Sequence, residues 1–153
     1  MKTYLKRREA EQLEKPALCV RDRLLIRLFS RLGCREALAL SVEDIDLDRG
    51  TATIIRVRMR VGLSCAHCNT RLTRKHRFCP GCGSVAEAVR EEQEYRHART
   101  VPLGADTLKM LREYIDQGGP VTRGGKRLII GIGRRRAWQI MRQCAKKAGI
   151  DNV

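Results

Sequence analysis

Aromatic residues are scarce in this chain of 153 residues, with one Trp, three Tyr and two Phe. A folded core must therefore be aliphatic. Acidic residues are also few, 17 against 32 Lys and Arg, for a formal charge of +15. That balance points to a polyanionic partner, nucleic acid first and an acidic membrane surface second. Long apolar runs are missing. The longest uncharged stretch, Val61 to Thr70, is too short and too polar to span a bilayer, so a membrane-embedded role is excluded. The opening MKTYLKRREAEQ has no apolar segment, so no secretory signal is expected and the chain reads as cytoplasmic and reduced. No internal repeat or low-complexity segment is evident.

What is present suffices for a globular fold. Hydrophobic residues make up 42% of the chain, too many for a disordered tail, and the length suits one domain or one domain with a small insert. The charge is uneven: net +2 over residues 1–50, +6 over 51–100 and +7 over 101–153. Between Asp116 and Asp151 nine basic residues occur without an acid, which is a patch and not a mixed-sign solvated face.

Local patterns predict the elements. Lys6 to Lys15 is a short polar helix stopped by Pro16. Arg21 to Leu32 is an amphipathic helix with Leu24, Leu25, Leu28 and Leu32 on one face and Arg23, Arg27 and Arg31 as an opposite stripe; Gly33 breaks it. Glu36 to Leu40 continues as a helical turn or two. Thr51 to Met59 alternates and is β-rich, hence a strand, and Arg96 to Leu103 can pair with it, with Pro102 at an edge or end. Ala105 to Ile115 is a helix with Leu108, Leu111 and Ile115 inward, ended by Gly-Gly-Pro. Leu128 to Ile130 is a short strand candidate. Arg135 to Ala148 is a last helix, with Gly149 as C-cap, apolar on Ala137, Met141, Cys144 and Ala148 and basic on the other side.

Four of the seven cysteines form two pairs, Cys65-Ala-His-Cys68 and Cys79-Pro-Gly-Cys82. Each Cys-x-x-Cys puts two thiolates on one turn, and two facing turns make a tetrahedral site suited to Zn²⁺. Gly81 and Gly83 permit the tight backbone. Four anionic ligands leave no open position, so the ion is structural. A redox pair would need a single motif at a helix start in a βαβ setting. His67 and His76 can substitute as ligands, and iron in a rubredoxin-like site is the minor alternative; four cysteines and zinc are preferred. Between the pairs, Arg71, Arg74, Lys75 and Arg77 make the unit itself a candidate nucleic-acid finger, or merely keep it soluble. The unit falls between two strands, so a zinc ribbon at the tip of a β-hairpin is expected.

Outside the ribbon the sequence resembles the catalytic domain of tyrosine recombinases, the phage-type integrases. RDRLLIRLFSRLGCREALALSVEDIDLDRGTATI is similar to the family's first catalytic-arginine segment, ARTVPLGADTLKMLREYI to the strand and helix that follow, and GIGRRRAWQIMRQCAKKAGI to the helix before the histidine box. The stretch runs from about Tyr4 to Ile150, and a subgroup of microbial integrases carries a four-cysteine insert in this same hairpin. The resemblance implies an α+β fold: a mainly helical integrase-like core with a small antiparallel sheet, residues 1–60 and 91–153, interrupted by a zinc ribbon at 61–90. It implies that Arg35 is the first catalytic arginine, holding a phosphate with a planar, permanently charged fork. It implies duplex DNA as partner, and a homo-oligomer or a full-length recombinase as a further partner; among the basic residues, Arg99, Lys126, Arg127, Arg134, Arg135, Arg136 and Arg142, mainly of the last helix and the Lys126/Arg127 loop, are the candidate contacts.

The sequence departs from the family in three places. Gly-Cys-Arg runs into Glu36 with two residues fewer than usual, enough to rotate a helix by about 200°. The hairpin lysine has no equivalent; between Gly50 and Thr100 the only lysine is Lys75, and Arg58 or Arg60 takes its place. No histidine follows His97, and Tyr4, Tyr95 and Tyr114 do not fit the nucleophile position. The expectation is a recombinase-like DNA binder, truncated before its His-x-x-Arg box and tyrosine, that does not cleave DNA by itself. The alternative is a zinc-ribbon DNA- or RNA-binding module that regulates a full-length recombinase or serves a ribosome-type partner.

Overall fold

The computed structural model describes residues 5–150. Tyr4, where the family-like stretch starts, and Asp151, which closes the acid-free run, lie outside the described residues. The fold is α+β, and the chain divides into two compact units: Met1–Ile54 with Arg99–Val153, and Ile55–Ala98. Among the described residues no helix is long and apolar enough to cross a membrane.

The larger unit is a helical cluster around α2 (Val20–Arg31). Leu24, Leu25, Ile26 and Leu28 of this helix are fully buried, and Leu32 follows them into the core. Helix α1 (Arg7–Glu14) starts where the Glu9 carboxylate accepts a bond of 2.9 Å from the Lys6 N–H, one of the donors a helix start leaves unpaired. It buries Ala10 and Leu13 and ends before Pro16. The arginine stripe expected on the outside of α2 is largely used internally. Arg27 binds Glu14 of α1 at 2.8 Å, and Arg31 donates to the Pro102 carbonyl at 3.2 Å. The reason is that α2 packs on several neighbours at once, so its polar face also meets protein.

Helix α3 (Cys34–Ala39) leads through a 3-10 turn, Val42–Asp44, into β1 (Ile45–Asp46). Ser41 is buried, and its hydroxyl and N–H both donate to the Asp44 carboxylate, at 2.7 and 3.0 Å. Strand β2 (Thr51–Cys65) begins by pairing with β1, Ile45 opposite Ala52, and buries Ala52 and Ile54. After Ile54 the alternation of buried and exposed residues stops. Strand β4 (Ala88–Pro102) pairs with β2 and ends at Pro102, the position that Pro was expected to mark. Both strands are far longer than their β-rich cores, because the hairpin continues past the residues that face the large core.

Helix α4 (Ala105–Asp116) buries Thr107, Leu111 and Tyr114, with Leu108 and Ile115 only partly covered. The expected face of Leu108, Leu111 and Ile115 packs on the core, with Thr107 and Tyr114 buried beside it; Tyr114 is held there by donating to the Gly119 carbonyl at 3.0 Å. The strand expected at Leu128 to Ile130 lies earlier, as β6 (Lys126–Leu128) paired with β5 (Val121–Arg123). Ile129 and Ile130 are apolar because they plug the core, and the Ile129 N–H donates to the Leu40 carbonyl. Helix α5 (Arg134–Ala148) buries Ala137, Ile140, Met141, Cys144 and Ala145 and is closed by Gly149 in the left-handed conformation at φ 67°.

The smaller unit comprises the remaining lengths of β2 and β4 and a two-residue strand, β3 (Arg71–Leu72), paired with β2 at Leu63 and Ser64. Its buried residues are Cys65, Leu72 and Cys79, with Leu63 and Ala86 packed against them.

Candidate functional site

The two Cys-x-x-Cys pairs fold into two copies of one turn. In the first, the Asn69 N–H donates to the Cys65 carbonyl and the Cys65 N–H to the Thr70 carbonyl, both at 2.9 Å. In the second, the Gly83 N–H donates to the Cys79 carbonyl at 2.9 Å and the Cys79 N–H to the Ser84 carbonyl at 2.8 Å. Asn69 and Gly83 hold the same station, left-handed at φ 59° and 72°. Asn and Gly are the residues that tolerate that backbone. Each turn also sets a hydroxyl on its second sulfur, Thr70 Oγ1 at 3.0 Å from Cys68 Sγ and Ser84 Oγ at 2.8 Å from Cys82 Sγ. Cys65–Thr70 and Cys79–Ser84 are therefore a six-residue repeat, Cys-x-x-Cys, then Asn or Gly, then a hydroxyl residue. Sequence reading missed it because the repeated positions after the cysteines are chemically similar and not identical.

The four sulfurs converge. All lie within 4.8 Å of one another, with Cys65 to Cys82 at 3.8 Å and Cys68 to Cys79 at 3.4 Å. A tetrahedron with metal–sulfur bonds of about 2.3 Å has sulfur–sulfur edges of about 3.8 Å. The cluster fits one ion bound by four thiolates. Cys65 and Cys79 are buried, Cys68 and Cys82 exposed. The Ser84 hydroxyl and backbone hydrogen bonds pull the Cys82 thiol down to about 6, favouring the ligating thiolate. The Gly81 N–H donates to Cys79 Sγ at 3.3 Å, and a side chain at Gly81 would collide with Thr70.

Neither His67 nor His76, the two histidines able to substitute as ligands, joins the cluster. His76 Nδ1 accepts from the Thr73 N–H at 3.0 Å, and His67 Nε2 lies 3.7 Å from Glu87. The other three cysteines, Cys19, Cys34 and Cys144, belong to the larger unit. Burial pushes the Cys144 thiol up, which keeps it protonated and unreactive.

In the larger unit, Arg35 is exposed on the first turn of α3, two residues after Gly33. The expected contact residues fall into two groups. Arg99 is bound to Glu36 and donates to the Leu32 carbonyl at 3.4 Å. Arg127 is bound to Glu43 at 2.9 Å, and Arg136 donates to Gln139 at 3.3 Å. Arg127 holds the Glu43 carboxyl down at about 2. Lys126, Arg134, Arg135 and Arg142 are exposed. Arg134, Arg135 and Arg136 form the first turn of α5, which holds no acid.

No protein-family profile and no curated protein matches the sequence. Among solved structures, the chain is similar to the crystal structure of XerA recombinase, with 18% sequence identity and a TM-score of 0.59. The similarity covers 99% of this chain and 45% of that one, so the chain spans less than half the length of that structure.

Proposed function

We propose that this chain is a tyrosine-recombinase-like protein that binds duplex DNA and, with these 153 residues alone, does not cleave it. The observation that carries the reading is the likeness to XerA recombinase over nearly the whole chain. In this reading the larger unit is the integrase-like core and the smaller is a ribbon inserted in its hairpin, held by structural Zn²⁺ on Cys65, Cys68, Cys79 and Cys82. A four-thiolate set with no open position suits zinc in a structural role.

DNA contact is assigned to Lys126, Arg134, Arg135 and Arg142, whose guanidinium and ammonium groups face solvent. Three arginines on the first turn of α5 support this. The helix dipole favours anions at that end and disfavours cations, so phosphate is the natural partner there. Arg35 is assigned a phosphate contact by family likeness. Arg99, Arg127 and Arg136 are secondary contacts, since protein groups already engage them. These 153 residues hold no histidine after His97 and no tyrosine after Tyr114, so cleavage is not assigned to them. A cytoplasmic protein, working as a homo-oligomer or beside a complete recombinase, completes the reading.

The test is a fluorescence titration of labelled duplex DNA with zinc-loaded protein at several salt concentrations, with duplex RNA as competitor. Binding should weaken linearly in log–log salt, with a slope of about −0.9 per phosphate contacted. Replacing Arg134, Arg135 and Arg142 together by Ala should reduce that slope by up to about 2.7. Absence of duplex binding at low salt would refute the proposal. A clear preference for duplex RNA would favour a zinc-ribbon RNA-binding module instead.

A further inference from the structure

The metal-held unit leaves its one phenylalanine outside its own core. Phe78 is 63% exposed, and so is its cross-strand neighbour Val85, at 66%. The protein's other phenylalanine, Phe29, packs against the core of the larger unit. Two backbone bonds flank the Phe78–Val85 pair: Ala86 N–H to the Arg77 carbonyl at 2.9 Å, and Cys79 N–H to the Ser84 carbonyl at 2.8 Å. That makes it a pair without hydrogen bonds of its own, where opposed side chains stand closest together. Because side chains alternate along a strand, Phe78 and Val85 rise together on one side while Cys79 points to the sulfur cluster on the other. The backbone beneath the ring is thus fixed by the metal turn.

Along its own strand the ring follows a stretch with charge of one sign, while across the pair Glu87 lies two residues beyond Val85. From Arg71 to Arg77 there are four cations and no acid, all of them exposed. A loaded four-thiolate zinc site is formally −2, which these four cations exceed. An exposed aromatic ring beside an acid-free basic loop is the pairing that binds an unpaired strand, with a base on the ring and its phosphates on the cations. A duplex hides its base faces inside the stack and offers nothing to such a ring.

We propose that the metal-held unit carries a binding site for single-stranded nucleic acid, with Phe78 as the platform for an unpaired base and Arg74, Lys75 and Arg77 as its phosphate contacts. The site is separate from the duplex contacts assigned to the larger unit and does not depend on that assignment.

Zinc-loaded full chain would be titrated into fluorescein-labelled oligothymidylate and oligouridylate, with the metal content of each variant checked. Phe78→Ala should weaken binding about tenfold, Phe78→Trp should retain it, and Phe78→Leu should behave as Ala, because stacking and not apolarity is the source. Removing Arg74 or Arg77 should each reduce the salt slope by about 0.7. Tighter binding of one oligonucleotide identifies DNA or RNA as the strand. Failure to bind either, equal binding by Phe78→Ala, or rescue by Phe78→Leu would overturn the proposal. Competition by phosphatidylserine vesicles as strong as by oligothymidylate would also overturn it. Duplex binding should be unchanged in Phe78→Ala. Loss of duplex binding on changing Arg134, Arg135 and Arg142 should leave the oligonucleotide affinity intact, so the two sites can fail separately.

Discussion

Removing the proposed metal ion should unfold the smaller unit and leave the larger one folded. The smaller unit buries only Cys65, Leu72 and Cys79, with Leu63 and Ala86 partly covered. Leu72 is the one fully apolar side chain among the three, and its burial contributes about 1.5–3 kcal/mol. Ordering a single residue of backbone costs about 1–2 kcal/mol. One leucine therefore cannot fix two turns and the loop between them, and an isolated two-stranded ribbon is marginal in water. On the proposed reading, zinc on four thiolates would contribute about 10–16 kcal/mol, several times the leucine, so the ion would decide whether this unit folds. The larger unit has a separate, mainly aliphatic core running from Ala10 to Ala145 and holds none of the four ligands. The assay is limited trypsin digestion with and without a strong chelator, followed by mass spectrometry. Chelation should open Arg71, Arg74, Lys75 and Arg77 to cleavage while cuts within α2 and α5 stay rare. Cys79→Ser should reproduce the chelated pattern without chelator. Equal protection of the loop in chelated and loaded protein would refute the reasoning, since the turns would then be held by something other than the ion.

Two other outcomes test the larger unit. Leu28→Ala removes a fully buried side chain from the helix that every neighbouring helix packs against, and should cost about 2–5 kcal/mol in thermal or urea denaturation; a change under about 1 kcal/mol would contradict the packing described. The Glu43 carboxyl is held at about 2 by Arg127, so its folded value lies below the usual carboxylate range near 4.3. Its contribution to stability should be present above that range and fade as pH falls through it toward 2. Glu43→Gln should flatten this part of the pH profile, and carboxyl NMR titration should place the midpoint well below that of a free glutamate.

Elements were legible where one physical cause dominates a stretch of sequence. The α5 helix has an apolar stripe at helical spacing and a glycine able to turn left-handed directly after its last residue, and both signals are local in sequence. The cysteine pairs were legible for the same reason, since ligand spacing is local chemistry. The hairpin was under-read because β2 after Ile54 no longer faces a core, so the alternation that marks a strand is lost while the pairing continues. Ile129 and Ile130 were mistaken for strand because an apolar plug and a buried strand share one composition.

Arginines show the same limit, and it bears on function. Composition counts +15, but charge available to a ligand depends on partners that sequence distance conceals. Arg99 meets Glu36 and Arg127 meets Glu43 across 63 and 84 residues of chain. Each such pair is partly or wholly neutralised before any nucleic acid arrives, and a phosphate would have to displace a carboxylate to reach it. No carboxylate competes on the first turn of α5. There Arg134, Arg135 and Arg136 stand together at the positive end of a helix dipole, an arrangement that costs stability in the free protein and is relieved when an anion binds. The proposed duplex contact is therefore better sought at this turn than wherever the sequence is merely richest in arginine.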